Sequence, residues 1–259
     1  MGIEVIKEGF ALTIDILIFS ISSSDAPDCR KLSEKHFSIL LVKRKKEPFK
    51  DKWCLPGGFV SVDETLEEAA NRVLLKETNL KGIYKEQLYT FDGVTRDPRT
   101  RTISTAYMAL IDKNKIKEKL SVDSAWFNIK IKEDKNKIDI LLSGEEEIKF
   151  TIKKILQDKT TNKYQYETLE NDKLAFDHPL IIVTGILRLR NKAHDTDILF
   201  NMLPKYFTLG ELQQIYELIL GKKLLDPAFR RIIADKVVKT GEMKKTGGHR
   251  PSVLFIYKK

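Results

Sequence analysis

The amino-acid sequence predicts an α/β fold, in which a mixed sheet lies between helices and is followed by a smaller helical unit with a basic hairpin. Apolar runs of strand length recur through the first half of the chain, and one amphipathic helix interrupts them. From residue 177 onward the apolar residues follow helical spacing in three segments, and two strand-like segments come after them. A chain of 259 residues is long enough to bury the cores of both units.

The first unit begins with two β-rich apolar runs, at residues 9–20 and 36–43. A helix follows the turn that contains Gly57 and Gly58, and Asp63 is its expected N-cap. The residues at helical spacing are Leu66, Ala69, Ala70, Val73, Leu74 and Glu77. Further strands, predicted at residues 84–92, 102–110 and 124–129, complete the sheet.

Between residues 130 and 173 the sequence becomes an alternation rich in lysine and glutamate. The segments KIDILLS and EIKFTIKKI predict a hairpin that places Ile148, Phe150 and Ile152 on one face. Tyr164 and Tyr166 alternate in the same way in a following strand. We interpret this segment as an elaborated edge of the first sheet, because it is too small to favour a third domain.

The second unit starts with a helix that has Pro179 in its first turn and an apolar stripe at Ile182, Ile186 and Leu189. A second helix is predicted from Thr208, its N-cap, to Gly221. Glu211 completes its capping box, and Leu212, Ile215, Tyr216 and Ile219 face inward.

The third helix is predicted to be capped by Asp226, with Pro227 in its first turn. Phe229, Ile232, Ile233 and Val237 form its buried face, which leaves Arg230 and Arg231 outward. Strand-like residues 238–242 and 253–257 flank a basic segment. This succession predicts a winged helix-turn-helix with a core of its own.

Composition narrows the class of protein. The apolar run Phe10 to Ile21 is too short to span a bilayer and contains Asp15, so we expect no membrane association, and no secretion signal is evident. Cys29 and Cys54 have no metal-ligand spacing, which fits a reducing cytoplasm.

Residues 201–259 contain 12 Lys+Arg against 5 Asp+Glu, a net charge of +7 out of +9 for the chain. A basic C-terminal unit favours a nucleic-acid partner.

Residues 58–80 retain the frame of a Nudix box, G-x5-E-x7-R-E-U-x-E-E-x-G-U, where U is aliphatic. The matching positions are Gly58, Glu64, Arg72, Leu74, Glu77 and Leu80. Val73 and Lys76 replace two of the glutamates, and Asn79 replaces the second glycine. Because Mg²⁺ needs several oxygen ligands and a lysine repels it, the sequence predicts no metal site, no cofactor and no catalytic residue here.

The whole chain resembles the NrtR-like family of Nudix-related transcriptional regulators. The matching stretches are EPFKDKWCLPGGFV (47–60), TRDPRTRTISTAYMAL (95–110), LAFDH (174–178), FTLGELQQIYELILGK (207–222), FRR (229–231) and GGHRPSVLF (247–255). The resemblance implies a Nudix α/β/α sandwich with a mixed sheet over residues 1–173, then a linker helix and a winged helix-turn-helix over 174–259. It also implies a homodimer that binds an operator on double-stranded DNA and senses a metabolite. The metabolite stays open between ADP-ribose and sugars or sugar phosphates, as does the sign of regulation.

For the effector, the residues indicate a basic turn in which Arg96, Arg99 and Arg101 surround Asp97. Guanidinium groups bind phosphoryl oxygens, and Gly58 lets a ligand approach the backbone closely. Lys43, Arg44, Arg72 and Glu77 complete the candidate effector site. As alternatives, Arg96 and Arg99 pair with Asp97 or with acids of the Nudix helix, and Arg72 forms a structural ion pair with Glu64. His178 is interpreted as a cap or interdomain contact.

For DNA, Arg230 and Arg231 lie where a recognition helix meets the major groove. His249 and Arg250 are expected at the tip of the wing, with Lys244 and Lys245 on its flank. We weigh this cytoplasmic regulator against two alternatives. One is a hydrolase of ADP-ribose or nucleoside-diphosphate sugars that combines Glu77 with Glu67 or Glu68, and the other is an RNA-binding module.

Overall fold

A ten-stranded mixed sheet forms the N-terminal two thirds of the chain. It is seen in a computed structural model that describes residues 9–24, 33–116, 120–244 and 251–258. The strands are β1 (Ala11–Ser23), β2 (Lys35–Lys43), β3 (Trp53–Cys54), β4 (Gly57–Phe59), β5 (Tyr84–Phe91), β6 (Thr102–Leu110), β7 (Ser124–Glu133), β8 (Lys137–Ser143), β9 (Glu147–Asp158) and β10 (Lys163–Asn171). Their order is β10-β9-β8-β7-β2-β1-β6-β5, with β3 paired to β2 and β4 to β1.

The central strand β1 is covered on both faces, which explains its almost unbroken apolar sequence. It pairs in parallel with β6 and antiparallel with β2. Ile14, Ile16 and Ile18 pack on one face against helix α1 (Leu66–Thr78). Leu17 and Phe19 point to the opposite face and pack against helix α2 (His178–Asp195). The predicted mixed sheet between helices is therefore confirmed.

Helix α1 begins two residues later than the sequence suggested. Thr65, not Asp63, is its N-cap: the Thr65 hydroxyl accepts from the Glu68 amide at 3.2 Å, and the Glu68 carboxylate accepts from the Thr65 amide at 2.8 Å. The N-cap prediction was wrong because a reciprocal capping box satisfies two backbone donors, whereas Asp63 alone satisfies fewer. The helix ends at Asn79, whose φ of 52° is left-handed and tolerated by asparagine.

Residues 130–173 extend the same sheet, as predicted. Strand β8 pairs with β7 and β9, and β9 pairs with β10. Ile148, Phe150 and Ile152 are buried together on the face toward α2. At the tip of the hairpin, Glu146 accepts from the Trp53 indole at 2.7 Å and binds Lys173. The extension thus supports the loop that leads to Gly57.

Helix α2 lies across the sheet and leads into the second unit. Gly185 allows the close approach, since a Cβ there would come within 3.0 Å of the Leu17 side chain. A short 3-10 helix at Ile198–Met202, which the sequence did not predict, connects α2 to the next helices. Among the helices of the described ranges, none is long and apolar enough to cross a membrane.

The winged helix-turn-helix has the predicted elements. They are α3 (Leu209–Leu220), α4 (Asp226–Ile233), β11 (Val237–Lys244) and β12 (Ser252–Tyr257). The Thr208 and Glu211 capping box is present, and α3 ends at Gly221. Asp226 is not a cap, because Leu225 occupies that position without a side-chain bond and Asp226 stands in the first turn. The carboxylate there still favours the positive end of the helix dipole.

The prediction of a separate core for the winged helix was wrong. One continuous apolar cluster runs from Leu17 and Phe19 of the sheet to Tyr216 and Phe229 of the second unit. Leu189 of α2 belongs to the same cluster. Helical periodicity identifies a buried face but not what covers it. Here α2 is buried from both sides, so it is a shared structural element of the two units.

Candidate effector cleft and DNA-binding unit

A cleft of 260 Å³ opens where β1, β4 and the start of α2 meet. Its walls combine the loop before α1, the basic turn after β5 and the residues that precede α2. Five of the expected effector residues line it: Arg44, Gly58, Glu77, Arg96 and Arg99. The remaining lining residues are Thr13, Ile14, Asp15, Val42, Cys54, Leu55, Pro56, Gly57, Phe59, Lys76, Asp97, Thr102, Phe176 and His178.

Arg96 is buried in the wall of the cleft, with 5% of its side chain exposed. Its Nε and Nη2 atoms donate to the two carboxylate oxygens of Asp177 at 2.9 and 2.7 Å. Nη2 also donates to Asp15 at 3.2 Å. Neither partner was expected from sequence, where Asp97 and the Nudix helix were the alternatives. Both acids are distant along the chain, and only the fold brings them to Arg96.

Asp15 lies at the floor of the cleft beneath Arg96. It accepts a hydrogen bond from the Ser104 hydroxyl at 2.6 Å, and its other oxygen is 3.4 Å from His178 Nε2. Burial alone would raise the pKa of Asp15, but His178, Ser104 and Arg96 lower it to about 2. The carboxylate is therefore ionised, as a buried acid with this many partners should be.

His178 links α2 to the cleft, which confirms its interpretation as an interdomain contact. Its Nδ1 accepts from the backbone amide of Leu55 at 2.9 Å, so Nε2 carries the proton and faces Asp15. Leu55 belongs to the loop that continues into Gly57 and Gly58. A Cβ on Gly57 would lie 2.5 Å from the Ile14 carbonyl, so this loop is pressed against β1.

Two arginines and two phenylalanines form the mouth of the cleft. Arg99 is paired bidentately with Asp97, at 3.0 and 2.7 Å, as the alternative interpretation expected. Its guanidinium carbon lies 5.6 Å from the ring centre of Phe59 and 5.8 Å from that of Phe176. Arg44 stacks on Phe176, with its guanidinium carbon 4.7 Å from the centre of the ring. Cationic planes over aromatic rings offer surfaces for an anionic ligand that has a flat ring.

Arg72 and Arg101 lie outside the lining of this cleft. Arg72 donates to Glu64 through Nε at 3.0 Å, so the structural ion pair is confirmed, and the Arg72 hydrogen bond lowers the pKa of Glu64 to about 2. Arg101 donates to the backbone carbonyls of Asp92 and Gly93 at 2.6 and 3.1 Å. Both guanidinium groups hold loops together instead of facing the cleft.

Helix α1, which carries most of the Nudix box, presents few of the motif's metal-binding carboxylates to the cleft. Val73 is buried in the core beneath α1. Lys76 is exposed over the cleft, with 77% of its side chain accessible, and its ammonium lies 3.2 Å from Glu77. Glu77 is buried and accepts from the Ser124 hydroxyl at 2.9 Å. Within the described ranges, no group of three or more His, Cys, Asp or Glu side chains is arranged to hold a metal ion.

The predicted recognition helix presents its arginines to solvent. Arg230 and Arg231 are exposed on α4, while Phe229 and Ile233 are buried behind them. Lys244 ends β11, and its ammonium donates to Glu211 of α3 at 2.9 Å, whereas its expected DNA contact stays a prediction. Lys245, His249 and Arg250 lie outside the described residues, so their expected DNA contacts stay predictions.

Glu211 joins three parts of the chain. Lys35 of β2 donates to the same Glu211 oxygen at 3.3 Å as Lys244 does from the wing strand. Burial would raise the pKa of Glu211, but hydrogen bonds from Lys244 and the Thr208 amide, with the charge of Lys35, lower it to about 2. This carboxylate ties the sheet, α3 and the wing strand together.

Known proteins share this arrangement. The NUDIX domain model matches residues 28–139, and the NrtR DNA-binding winged helix domain model matches residues 199–257. The ADPR responsive transcriptional repressor NtrR of Acinetobacter baylyi is 31% identical over 251 residues, which cover 95% of this chain and 81% of that protein. The chain belongs to the NrtR family.

The fold agrees with that membership. A crystal structure of Shewanella oneidensis NrtR complexed with a 27mer DNA superposes on this NrtR-family chain with a TM-score of 0.64 and 27% identity, over 95% of this chain and 93% of that one. A more local similarity links the Nudix part to the ADP-ribose pyrophosphatase of Methanocaldococcus jannaschii. That enzyme is 45% identical over 75 residues, which are 29% of this chain and 44% of the enzyme.

Among the residues that sequence reasoning missed in this NrtR-family protein are Asp15 and Phe176, which line the cleft, and Asp177, which binds Arg96. A signal existed for Asp15, since a carboxylate inside a buried apolar strand needs a charged or hydrogen-bonding partner. Asp177 and Phe176 lay in the LAFDH stretch that carried the family resemblance. Phe176 has a φ of 54°, an uncommon conformation for a phenylalanine that local sequence does not announce.

The ionised Asp15 makes stability depend on acid pH. Its pKa in the folded protein, about 2, lies below the ordinary value of 3.8. The stabilisation is therefore present above pH ~4 and is lost as pH falls toward 2, for a total of about 2 kcal/mol. We expect urea unfolding from pH 6 to 2 to show wild type losing more stability than Asp15→Asn. The exposed Asp63→Asn is the control and should follow wild type, whereas equal pH slopes for wild type and Asp15→Asn would contradict the assignment.

Proposed function

We propose that this protein is a transcriptional repressor that binds an operator duplex through its winged helix and responds to ADP-ribose bound in the cleft of a catalytically inactive Nudix domain. The observation that supports this proposal most strongly is the 31% identity with an ADPR responsive repressor along 95% of the chain, through both units. We assign residues 1–173 to the effector domain and 174–259 to the linker helix and DNA-binding domain. Such a protein acts in the cytoplasm, where bacterial DNA lies.

The chemistry of the cleft suits a nucleoside diphosphate. Arg44 and Arg99 carry positive charge at its mouth, and guanidinium forks match phosphate oxygens. Phe59 and Phe176 add aromatic faces on which an adenine ring can stack. Arg96 contributes a third guanidinium from the wall. Arg72 and Arg101 are not among the proposed effector contacts, because neither residue lines the cleft.

Hydrolysis by this domain is disfavoured by the surroundings of its remaining glutamates. Glu68 is committed to the capping box of α1, and Glu67 accepts from Lys85 at 2.9 Å. Glu77 is held by Ser124 beside the ammonium of Lys76. The similarity to an ADP-ribose pyrophosphatase spans only 29% of the chain. The similarity to that pyrophosphatase is nevertheless the observation that favours the alternative function, a Nudix hydrolase of ADP-ribose or nucleoside-diphosphate sugars.

We expect no turnover of ADP-ribose, nucleotide sugars or nucleoside triphosphates with Mg²⁺ or Mn²⁺. Val73 and Lys76 remove two carboxylates that a divalent cation would need. The measurement is product formation by liquid chromatography. A rate above about 0.1 s⁻¹, against an enzyme median of about 10 s⁻¹, would favour the hydrolase.

For DNA, we expect a homodimer to select a palindromic duplex with half-sites one or two helical turns apart. Affinity should fall steeply with salt as counterions are displaced from phosphates. Because Arg231 is exposed on the recognition helix, Arg231→Ala should relax discrimination at one base pair by about 1 to 3 kcal/mol. Lys245→Ala should weaken all sequences alike.

The assay is selection from a random duplex library, followed by binding titrations of wild type and both variants. Lys222→Ala, which removes an exposed lysine between α3 and α4, serves as a charge-matched comparison for Lys245→Ala. Recovery of no enriched sequence by the wild type would count against a sequence-specific regulator.

The effector and the operator should be coupled. Calorimetric titration of ADP-ribose into the protein, with and without the selected duplex, should give affinities that differ by roughly 5- to 150-fold. Arg99→Ala should abolish the ADP-ribose response and leave operator binding intact, because Arg99 pairs only with the nearby Asp97 in the described structure. Equal affinities in the two wild-type titrations would remove the sensing function even if each ligand binds.

A further inference from the structure

Helix α2 begins inside the effector cleft. Phe176 and His178 line the cleft, and Asp177 between them holds Arg96 with both carboxylate oxygens. His178 is fixed to Leu55 on the opposite side. The first turn of α2 is therefore anchored by the same groups that a ligand would meet.

The other end of α2 is attached to the DNA-binding unit. Arg190 donates from Nε to the Ile219 carbonyl at the end of α3, at 3.0 Å. Leu189 and Ala193 belong to the apolar cluster that contains Leu212 and Tyr216. A packed helix moves as a rigid element, so a shift of its first turn reaches α3 directly.

Two acids occupy the Nε and Nη2 atoms of Arg96. The bidentate pair with Asp177 uses the planar fork that a phosphate group would otherwise occupy. Asp15 cannot leave, because it sits in the central strand and also accepts from Ser104. Asp177 can leave, because it stands at the start of α2 and its side chain is more exposed than that of Asp15. An anion that approaches Arg96 therefore competes with Asp177.

Asp177 stands at the start of α2 without capping the helix through its side chain. It is the N-cap residue of α2, yet its side chain makes no capping hydrogen bond, because the carboxylate is engaged with Arg96. Aspartate is among the preferred N-cap residues, and the helix dipole favours a negative charge there. The amides of the first turn are occupied, because Leu180 donates to the Asp177 carbonyl at 2.9 Å and Pro179 has no amide hydrogen.

We propose that Asp177 is an internal competitor for the effector: in the free protein it occupies the place on Arg96 that a phosphate of the effector takes. This inference rests on the proposed function, because it requires ADP-ribose to bind in the cleft. Binding frees the first turn of α2 from the cleft wall, and α2 transmits the change to α3. By linkage, operator binding that favours the anchored turn weakens ADP-ribose binding by the same factor.

The test compares full-length wild type with Asp177→Asn in titrations of ADP-ribose, with and without the selected operator. Asparagine removes the competing charge and remains a good N-cap. We expect ADP-ribose to bind Asp177→Asn at least roughly 5-fold more tightly than wild type, and operator DNA to change that affinity less than it does in wild type. Damage to the fold alone would not tighten binding.

The matched control is Asp195→Asn, which removes a carboxylate from the exposed far end of the same helix. It should bind ADP-ribose as wild type does. Unchanged or weaker ADP-ribose affinity in Asp177→Asn, with normal binding by wild type, overturns the competitor role and leaves the proposed function standing. Absence of ADP-ribose binding by wild type would remove both.

A second measurement needs no variant. Hydrogen exchange of wild-type protein with and without ADP-ribose reports on the amides of Leu180 and Ile181, which donate to the Asp177 carbonyl at 2.9 and 3.3 Å. We expect faster exchange in the peptide that spans residues 175–183 when ADP-ribose binds, while the cleft loop around Leu55 becomes more protected. Protection of both segments would show that the turn stays anchored and would overturn the proposal.

Discussion

A positive charge buried in the cleft wall must be balanced, and this requirement organises the effector side of the molecule. Arg96 is almost inaccessible to water, so leaving it unpaired would be strongly unfavourable. The two acids that balance it come from the first strand and from the start of the linker helix. One guanidinium thereby fixes the floor of the cleft and the position of α2.

The continuous apolar core joins the effector side of the molecule to the winged helix. Helix α2 packs on the sheet through Gly185 and on α3 through Leu189, so neither unit is packed independently of it. Lys35 and Lys244 on Glu211 add a polar connection at the same junction. Close-packed interiors switch between discrete arrangements and do not deform smoothly. A regulator with a shared core therefore needs no flexible linker to connect sensing with DNA binding.

The Nudix helix shows how a fold survives the loss of its chemistry. Val73 replaces a metal-binding carboxylate with an apolar side chain that fills the core under α1. Asn79 replaces the glycine of the motif and adopts the left-handed conformation that the helix end requires. Arg72 and Glu64 keep their ion pair and hold the loop before the helix. The positions that maintain backbone geometry are retained or replaced by compatible residues, whereas two of the three glutamate positions that bind metal, now Val73 and Lys76, have changed.

The sequence by itself determined the long strands, the four α-helices and their order, because periodicity and capping are local. The capping box at Thr208 and the hairpin through Ile148 are examples that the structure confirmed. The degenerate motif and the ordered set of matching stretches together also identified the family, as the full-length relative shows. Local signals were less reliable at helix starts, where Thr65 and Leu225 took the positions expected for Asp63 and Asp226.

Only the tertiary structure decided which charges meet. It paired Arg96 with Asp15 and Asp177, both 81 residues away, and it tied Lys244 to Glu211. It also placed Arg72 and Arg101 outside the cleft and merged two expected cores into one. A charged side chain has many potential partners of opposite sign, and the sequence does not rank them. The choice is made by which backbone segments pack together, because ion pairs depend on distances of a few ångströms that no local pattern specifies.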